Sequence, residues 1–248
     1  QKLNTKKVIY TSSSAVYGVP AFNPVKENDV LNPMEPYGRA KYEAEIACLD
    51  FVKQGLDVSI IRPRTILGEG RLGIFQILFD WISGGKNIPL IGSGNNIYQF
   101  VHSEDLASAC VAAGFMEGAD VFNIGAAEYD TLRNTLQSLI DAVGSESKLV
   151  SLPINPTIQL MKFASKIGIS PLGQYHSLMY HRSMYFNLDH SEQVLNYRPL
   201  HSNKSMILDA YKWYIANRDL VNSISSGKSL HQMKIKKKLL QFLPYILR

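Results

Sequence analysis

Three serines and a tyrosine-lysine pair are the residues whose types and spacing could carry out proton transfer. Ser12, Ser13 and Ser14 follow an apolar, β-branched segment, and Tyr37 precedes Lys41 by four positions in a helical pattern. Because residues four apart share one face of a helix, the Lys41 ammonium can approach the Tyr37 hydroxyl. A serine hydroxyl at the neighbouring strand end could then hydrogen-bond the oxygen that is being deprotonated.

Such a pattern would let a tyrosine act as a general base at neutral pH. A free tyrosine, with a pKa of about 10, is a poor base there. Lowering that pKa by about 3 units needs about 4 kcal/mol of preferential stabilisation of the phenolate. An ammonium group and a bound nicotinamide cation could supply it. The Tyr-x-x-x-Lys spacing is common by chance, but here a serine-rich strand end and a proline-rich loop precede it.

Strand and helix patterns alternate along the chain and would position these residues. Short apolar runs predict strands at 7–12, 57–62, 98–101 and 121–124. Helical periodicity predicts helices at 37–53, 74–83, 104–116, 131–143, 155–168 and 203–218. We expect Asp105, in the first turn of one of them, to cap and orient that helix. The alternation predicts βαβ units and a parallel sheet.

Five segments in a fixed order resemble the extended short-chain dehydrogenases/reductases, which include the NAD-dependent epimerase/dehydratase family. These segments are VIYTSSSAVYG, EPYGRAKYEAE, IIRPRTILG, GSGNNIYQFVHSEDLA and FNIG. The resemblance covers roughly residues 7–218 and implies an α/β fold, a Rossmann-like parallel sheet with a smaller α/β substrate-binding lobe. It places the catalytic half of an NAD(P)-binding domain, interwoven with that lobe, in residues 1–219. Residues 220–248 would form a linker and a basic amphipathic tail.

The resemblance also implies a role for each residue of the two motifs. Tyr37 is expected to be the catalytic base, and Lys41 to contact the nicotinamide ribose and lower the Tyr37 pKa. Both residues would therefore bind the cofactor as well. Ser13 is expected to hydrogen-bond the reacting oxygen, and Ser14 is a substrate contact that takes this part in an alternative alignment. Pro63, which follows the second strand, is expected near the nicotinamide.

The implied enzyme uses NAD or NADP, with NAD favoured, and acts on a nucleotide sugar as an epimerase or dehydratase. Thr65 and Tyr98 are the further expected substrate contacts, although many epimerases have an asparagine and a phosphate-binding arginine there. Loss of a bidentate phosphate contact weakens the case for a diphosphate sugar. One alternative is therefore an NAD(P)-dependent reductase or dehydrogenase of a small or sterol-like alcohol. Another is a catalytically inactive fragment that acts as a binding module.

The family pattern opens with a glycine-rich phosphate loop ahead of the serine strand. This chain starts at the serine strand, so we expect a fragment that on its own binds NAD(P) weakly or not at all. Gly68, Gly70 and Gly73 match Gly-x-Gly-x-x-Gly between a strand and a helix. No acidic residue follows about 20 positions later to hold a ribose. We therefore interpret this segment as a loop on the substrate side.

Composition and residue spacing argue against a disulfide-rich, a membrane-spanning or a metal-binding protein. Cys48 and Cys110 are the two cysteines among 248 residues, and both lie in apolar, helix-like segments. This pattern favours buried thiols in the cytoplasm over a disulfide framework. The chain lacks an uninterrupted apolar stretch of about 20 residues, so a transmembrane helix is not predicted. His176 and His181 are not at the spacing of a helical metal pair, and no metal site is expected.

The formal net charge of +5 is confined to the C-terminal tail. Residues 229–248 carry five basic residues and no acid, while the rest of the chain is balanced, which argues against nucleic-acid binding. The tail also has an apolar stripe at helical spacing, Ile235, Leu239, Phe242 and Ile246. A basic amphipathic helix favours peripheral contact with an anionic membrane. A homodimer through residues 42–53 is a further implication of the resemblance.

Overall fold

A computed structural model of the chain describes residues 5–166 and 178–223. The strands are β1 (Lys7–Thr11), β2 (Asp57–Pro63), β3 (Thr65–Leu67), β4 (Ile88–Ile91), β5 (Ile97–Tyr98), β6 (Phe100–His102), β7 (Asp120–Ile124), β8 (Asp130–Thr131) and β9 (Leu149–Leu152). The α-helices up to residue 166 are α1 (Pro36–Lys53), α2 (Phe75–Ser83), α3 (Ser103–Phe115), α4 (Leu132–Ala142) and α5 (Ile154–Lys166). Further helices span Asp189–Leu195, Asn203–Ala216 and Arg218–Ser223, and a short 3-10 helix spans Ser14–Tyr17. This alternation confirms the α/β fold class.

One compact unit combines the described residues of segments 1–66, 99–128 and 184–202. Its centre is a parallel sheet in the order β1-β2-β7, in which Ile9 pairs with Ser59 and Ile61 pairs with Phe122. β2 is the middle strand, and its residues 58–63 are buried. A middle strand of a parallel sheet is covered on both faces, which explains why successive residues of β2 are all buried. Because the strands are parallel, the residues that follow them share one edge of the sheet.

A second compact unit combines the described residues of segments 67–98, 129–183 and 203–248. It contains the parallel pair β4-β9 and the antiparallel pair β5-β8. In its core, the Phe79 ring packs on Tyr211 and Tyr214 at centroid distances of 5.5 and 5.9 Å. The Tyr214 hydroxyl donates to Asp80 Oδ1 at 2.7 Å, so its polar atom is satisfied within the unit.

The strand predicted at 98–101 is wrong in one respect, since Gln99 divides it into β5 and β6. The two halves have different partners, because β5 pairs with β8 and β6 pairs with β3. Gln99 is fully buried between them, and its side chain bonds two backbone groups. Its Nε2 donates to Ala126 O at 2.7 Å, and its Oε1 accepts from Phe186 N at 2.9 Å. Strands β3, β4, β8 and β9 were not predicted, because such short segments carry little periodic signal.

Asp105 does not cap α3, contrary to the expectation from its position in the first turn. The N-cap is His102, whose Nδ1 accepts from Glu104 N at 3.3 Å. The buried Asp105 carboxylate instead accepts from Leu200 N at 3.0 Å and from His201 N at 3.2 Å. Asp105 therefore holds a distant segment of the chain rather than its own helix.

Cys48 and Cys110 are free thiols, as expected, but they are half-buried, so the expectation of buried thiols is wrong. Both lie on helices of the first unit, where one side of the helix stays open to solvent. Helix Arg218–Ser223 crosses the boundary predicted at residue 219. The basic tail at 229–248 and His176 lie outside the described residues. Among the described residues, no helix is both long and apolar enough to span a membrane.

Candidate active site

The serine run lies where β1 ends and the 3-10 helix begins. Ser12 N donates to Ile61 O at 2.7 Å, which extends the pairing with β2 by one residue. Ser13 has an extended backbone, and its Oγ accepts from Ala15 N at 3.2 Å. This bond caps the 3-10 helix and fixes the Ser13 side chain. Ser13 follows the end of β1, at the carboxyl edge of the sheet. Because Ser13 is half-buried, its hydroxyl is not fully enclosed by the protein.

The hydroxyl of Ser14 has a different environment. Ser14 is buried, and its Oγ accepts from Arg64 Nη1 at 2.9 Å. Arg64 is itself buried, and its backbone N donates to Ile124 O at 2.9 Å, beyond the end of β2. A substrate that bound Ser14 would have to compete with the arginine. The substrate contact assigned to Ser14 therefore stays a prediction.

Helix α1 begins in close contact with the 3-10 helix. Glu35 caps it, because its Oε2 accepts from Tyr37 N at 2.9 Å and its Oε1 accepts from Gly38 N at 2.6 Å. A Cβ added to Gly38 would lie 2.6 Å from Ala15 O. Only glycine permits this close approach of two backbones. We call the segment from Ser12 to Ala15 the serine turn. Tyr37 therefore lies one residue before Gly38, the residue of α1 that contacts this turn.

This contact predicts that Gly38→Ala lowers the free energy of unfolding by about 1–3 kcal/mol, the range for overpacking a rigid contact. The added methyl would meet a backbone oxygen, which cannot move without shifting the 3-10 helix. Gly114→Ala on α3 is the matched control, because nothing lies within 4 Å of its added Cβ. The control should be as stable as the parent or more stable. Denaturant titration compares them, and equal stability of both variants would contradict the close approach.

Tyr37 and Lys41 lie on one side of α1, where the Lys41 ammonium is held beside the Tyr37 ring. Lys41 Nζ is 5.9 Å from the ring centre of Tyr37 and 5.1 Å from that of Tyr10. Nζ donates to Thr11 O, the last carbonyl of β1, at 2.8 Å. Burial lowers the pKa of Lys41, and the negative charge of Glu45 acts in the opposite direction. Tyr37 itself is 51% exposed, so an incoming molecule can reach it.

A buried ion pair joins α1 to β2. Arg62 Nη2 donates to Glu45 Oε2 at 2.7 Å and Arg62 Nε donates to Glu45 Oε1 at 3.0 Å. The two side chains are only 6% and 2% exposed. Arg62 Nη1 also donates to the Tyr17 hydroxyl at 2.8 Å, and that hydroxyl donates to Asn123 Oδ1 at 2.9 Å. This network fixes the helix that carries Tyr37 and Lys41 against the sheet.

Tyr17 and Tyr37 are therefore suited to different tasks. Tyr17 is almost completely buried, and burial raises its pKa to about 12 despite the neighbouring Arg62. Its hydroxyl keeps its proton at neutral pH and is committed to two hydrogen bonds. Tyr37 is exposed beside an ammonium, which makes it the better candidate for proton transfer.

The sequence indicated Tyr37 and Lys41 but not the groups that hold them. Thr11 O, Glu35 and Gly38 act through the backbone or a helix cap. An acidic residue next to the start of a helix is a weak sequence signal for that start. Glu35, two residues before Tyr37, could have identified the cap of α1 in this way. The Thr11 carbonyl has no side-chain signal at all.

The other predicted site residues lie in separate places. Pro63 is buried at the end of β2, on the sheet edge that also carries the serine turn. Thr65 is half-buried at the start of β3. Tyr98 is buried in the second unit, with its ring centre 6.5 Å from that of Tyr180. The roles assigned to Pro63, Thr65 and Tyr98 stay predictions.

The segment that carries β1 to β7, including the serine turn and the Tyr37-Lys41 pair, matches a known family model. Residues 1–125 match the model of the NAD dependent epimerase/dehydratase family. The chain belongs to this family. The resemblance inferred from the sequence motifs is thereby confirmed.

Relatives in the family differ in how much is known of them. The uncharacterized protein y4nG of Sinorhizobium fredii is 50% identical over 244 residues, which are 98% of this chain and 61% of that protein. The UDP-glucose 4-epimerase of Lactobacillus helveticus is 27% identical over 235 residues, which are 85% of this chain and 64% of that protein. The chain thus spans about three-fifths of the length of these relatives.

A solved family structure has a similar fold. The UDP-glucuronic acid 4-epimerase from Bacillus cereus, solved in complex with NAD, aligns with a TM-score of 0.68 and 20% identity. The alignment covers 86% of this chain and 63% of the epimerase chain. At this identity the likeness shows the fold alone, and it confirms the Rossmann-like α/β architecture.

Proposed function

We propose that the protein carrying this chain is an NAD(P)-dependent epimerase or dehydratase of a nucleotide sugar. The observation that carries the proposal is the position of Lys41 Nζ, bonded to Thr11 O beside the Tyr37 ring. This pair lies at the carboxyl edge of a parallel sheet, where open α/β folds bind their ligands. Membership in the epimerase/dehydratase family and the fold shared with an NAD-bound epimerase support the same function.

The residues at this edge fit a nicotinamide cofactor. An ammonium group has three donors, and Thr11 O accepts one from Lys41, so Lys41 can also bind ribose hydroxyls. Pro63 ends the neighbouring strand on the same edge and is proposed to line the nicotinamide site. When bound, the nicotinamide supplies the acceptor and donor of hydride. NAD is our favoured form.

Tyr37 is proposed to remove a proton from a sugar hydroxyl and to return one later in the reaction. The Lys41 ammonium stabilises the phenolate, because opposite charges attract more strongly where water is partly excluded. Ser13 is proposed to hydrogen-bond the same sugar oxygen, so that the proton moves along a fixed direction. Ser14, Thr65 and Tyr98 are proposed as further substrate contacts.

Product analysis with the full-length natural protein tests this function. We expect NAD and a panel of UDP-sugars, including UDP-glucose and UDP-glucuronic acid, to give inverted or dehydrated sugar without accumulation of reduced cofactor. Steady reduction of the cofactor by a small alcohol or sterol, and none by a sugar, would contradict the proposal and indicate a dehydrogenase. Tight NAD binding without turnover of any of these substrates would also contradict it and favour a binding module.

A homodimer through α1 is part of the proposal. Ile46 and Leu49 are two large apolar side chains on this helix that are 42% and 45% exposed. Burial of these side chains against a second copy would remove apolar surface from water. Because α1 also carries Tyr37 and Lys41, such an interface would steady the helix that holds the site.

A further inference from the structure

We propose that His102, Glu104 and His201 bind a divalent transition-metal ion, with Zn²⁺ as the best fit. These residues lie in the first unit, where β6 passes into α3. Glu104 Oε2 is 3.9 Å from His102 Nδ1 and 3.9 Å from His201 Nε2. One ligand atom from each residue lies within 4.8 Å of the other two. Two imidazoles, one carboxylate and a water form a coordination set that zinc adopts in proteins.

Asp105 prepares His201 for this role. The buried Asp105 carboxylate lies 3.1 Å from His201 Nδ1 through its Oδ2. A carboxylate only accepts hydrogen bonds, so in a neutral ring the proton is on Nδ1 and the Nε2 lone pair is available to a metal. Asp105 also accepts from the backbone N of His201 at 3.2 Å. Metal-binding histidines are typically oriented by such a carboxylate.

The two histidine rings lie directly against each other. The rings of His102 and His201 are stacked, with centroids 3.7 Å apart and planes 23° from parallel. A metal ligand must be an unprotonated imidazole, so binding of the ion would release any proton that either ring carries. The carboxylates of Glu104 and Asp105 supply negative charge that a divalent cation would balance.

The site is accessible, and binding one ion needs the two stacked rings to turn so that a nitrogen of each points at it. A cavity of about 480 Å³ in the first unit is lined in part by Glu104, Asp105 and His201. The Glu104 side chain is 78% exposed, so it can turn toward the ion without disturbing the core. The bond from Glu104 N to His102 Nδ1 is long, at 3.3 Å, and the metal would replace it. The bound ion would then link the start of α3 to the segment around His201.

This proposal departs from the expectation that the chain has no metal site. That expectation considered histidines close together in sequence, whereas His102 and His201 meet only in the folded unit. The approach of His201 to His102, Glu104 and Asp105 could not be read from spacing along the chain.

Isothermal titration of the untagged whole chain with Zn²⁺ tests the proposal. We expect saturable binding of one ion, weakened by about 100-fold or more in Glu104→Gln and in His201→Gln, because even outer-shell changes cost about 10–100-fold. His190→Gln is the matched control, since His190 Nε2 lies 3.0 Å from Asp120 Oδ2 outside the three-residue group. The control should bind Zn²⁺ as the parent does.

Two results would overturn the proposal. One is the lack of saturable binding by the parent chain, and the other is equal affinity in the parent, both variants and the control, which would indicate adventitious ions only. Melting curves without metal check that each variant folds, and the exposed position of Glu104 makes Glu104→Gln the safer of the two. Added Zn²⁺ should raise the melting temperature of the parent and of His190→Gln but not of Glu104→Gln.

Discussion

Tyr37→Phe should lower kcat for the proposed sugar reaction by about 10²–10⁴-fold, the range that one positioned acid-base group contributes. The substitution removes only the hydroxyl, and Tyr37 is 51% exposed on the surface of α1, so the fold should not change. KM should change little, because the lost interaction acts mainly on the proton being transferred. Steady-state kinetics with the full-length protein measure both constants.

Tyr42→Phe is the matched control for this substitution. Tyr42 lies on the same helix and is half-buried, but it neighbours Lys41 in sequence instead of lying four positions from it. Its kcat should equal that of the parent enzyme. A parental rate in Tyr37→Phe, or the same loss in both variants, would contradict the role assigned to Tyr37.

Glu45→Ala should lower the free energy of unfolding by about 3–5 kcal/mol, because it leaves a buried arginine without its counter-charge. Arg62 and Glu45 are bonded at 2.7 and 3.0 Å and are almost completely buried. The loss should appear as a lower denaturation midpoint in urea. Since α1 also carries the Tyr37-Lys41 pair, activity should fall at temperatures where the variant is partly unfolded.

Two further variants separate the ion pair from a general effect of mutating α1. Glu43→Ala, at an exposed position of the same helix, should change stability by less than about 0.5 kcal/mol. Replacing both partners, as in Glu45→Leu with Arg62→Met, should recover most of the loss, because no buried charge then stays unpaired. Equal stability of Glu45→Ala and Glu43→Ala would show that the pair contributes nothing.

The central sheet and the chemical pair could be predicted because their signals are local. The segment 57–62 contains the β-branched residues Val58, Ile60 and Ile61, and the structure places β2 there. The four-residue spacing of Tyr37 and Lys41 depends only on helix geometry. Both features could therefore be predicted without knowledge of the rest of the fold.

The features that were missed depend on contacts between distant segments. The strand predicted at 98–101 divides at Gln99 because β5 pairs with β8 and β6 pairs with β3, and these partners are distant in sequence. Asp105 looks like a helix cap from its position, yet its carboxylate holds the backbone of His201. The β4-β9 pair was missed because each strand has four residues, too few for a clear alternation of apolar and polar positions.

The rate of cofactor reduction in a single turnover tests most directly whether Tyr37 couples proton removal to hydride transfer. Full-length protein loaded with NAD is mixed with the sugar substrate, and the absorbance of reduced nicotinamide is followed with time. We predict that reduction is about 10²–10⁴-fold slower in Tyr37→Phe than in the parent, and unchanged in Tyr42→Phe. Reduction at the parental rate in Tyr37→Phe would show that the proton leaves by another group and would contradict the proposed active site.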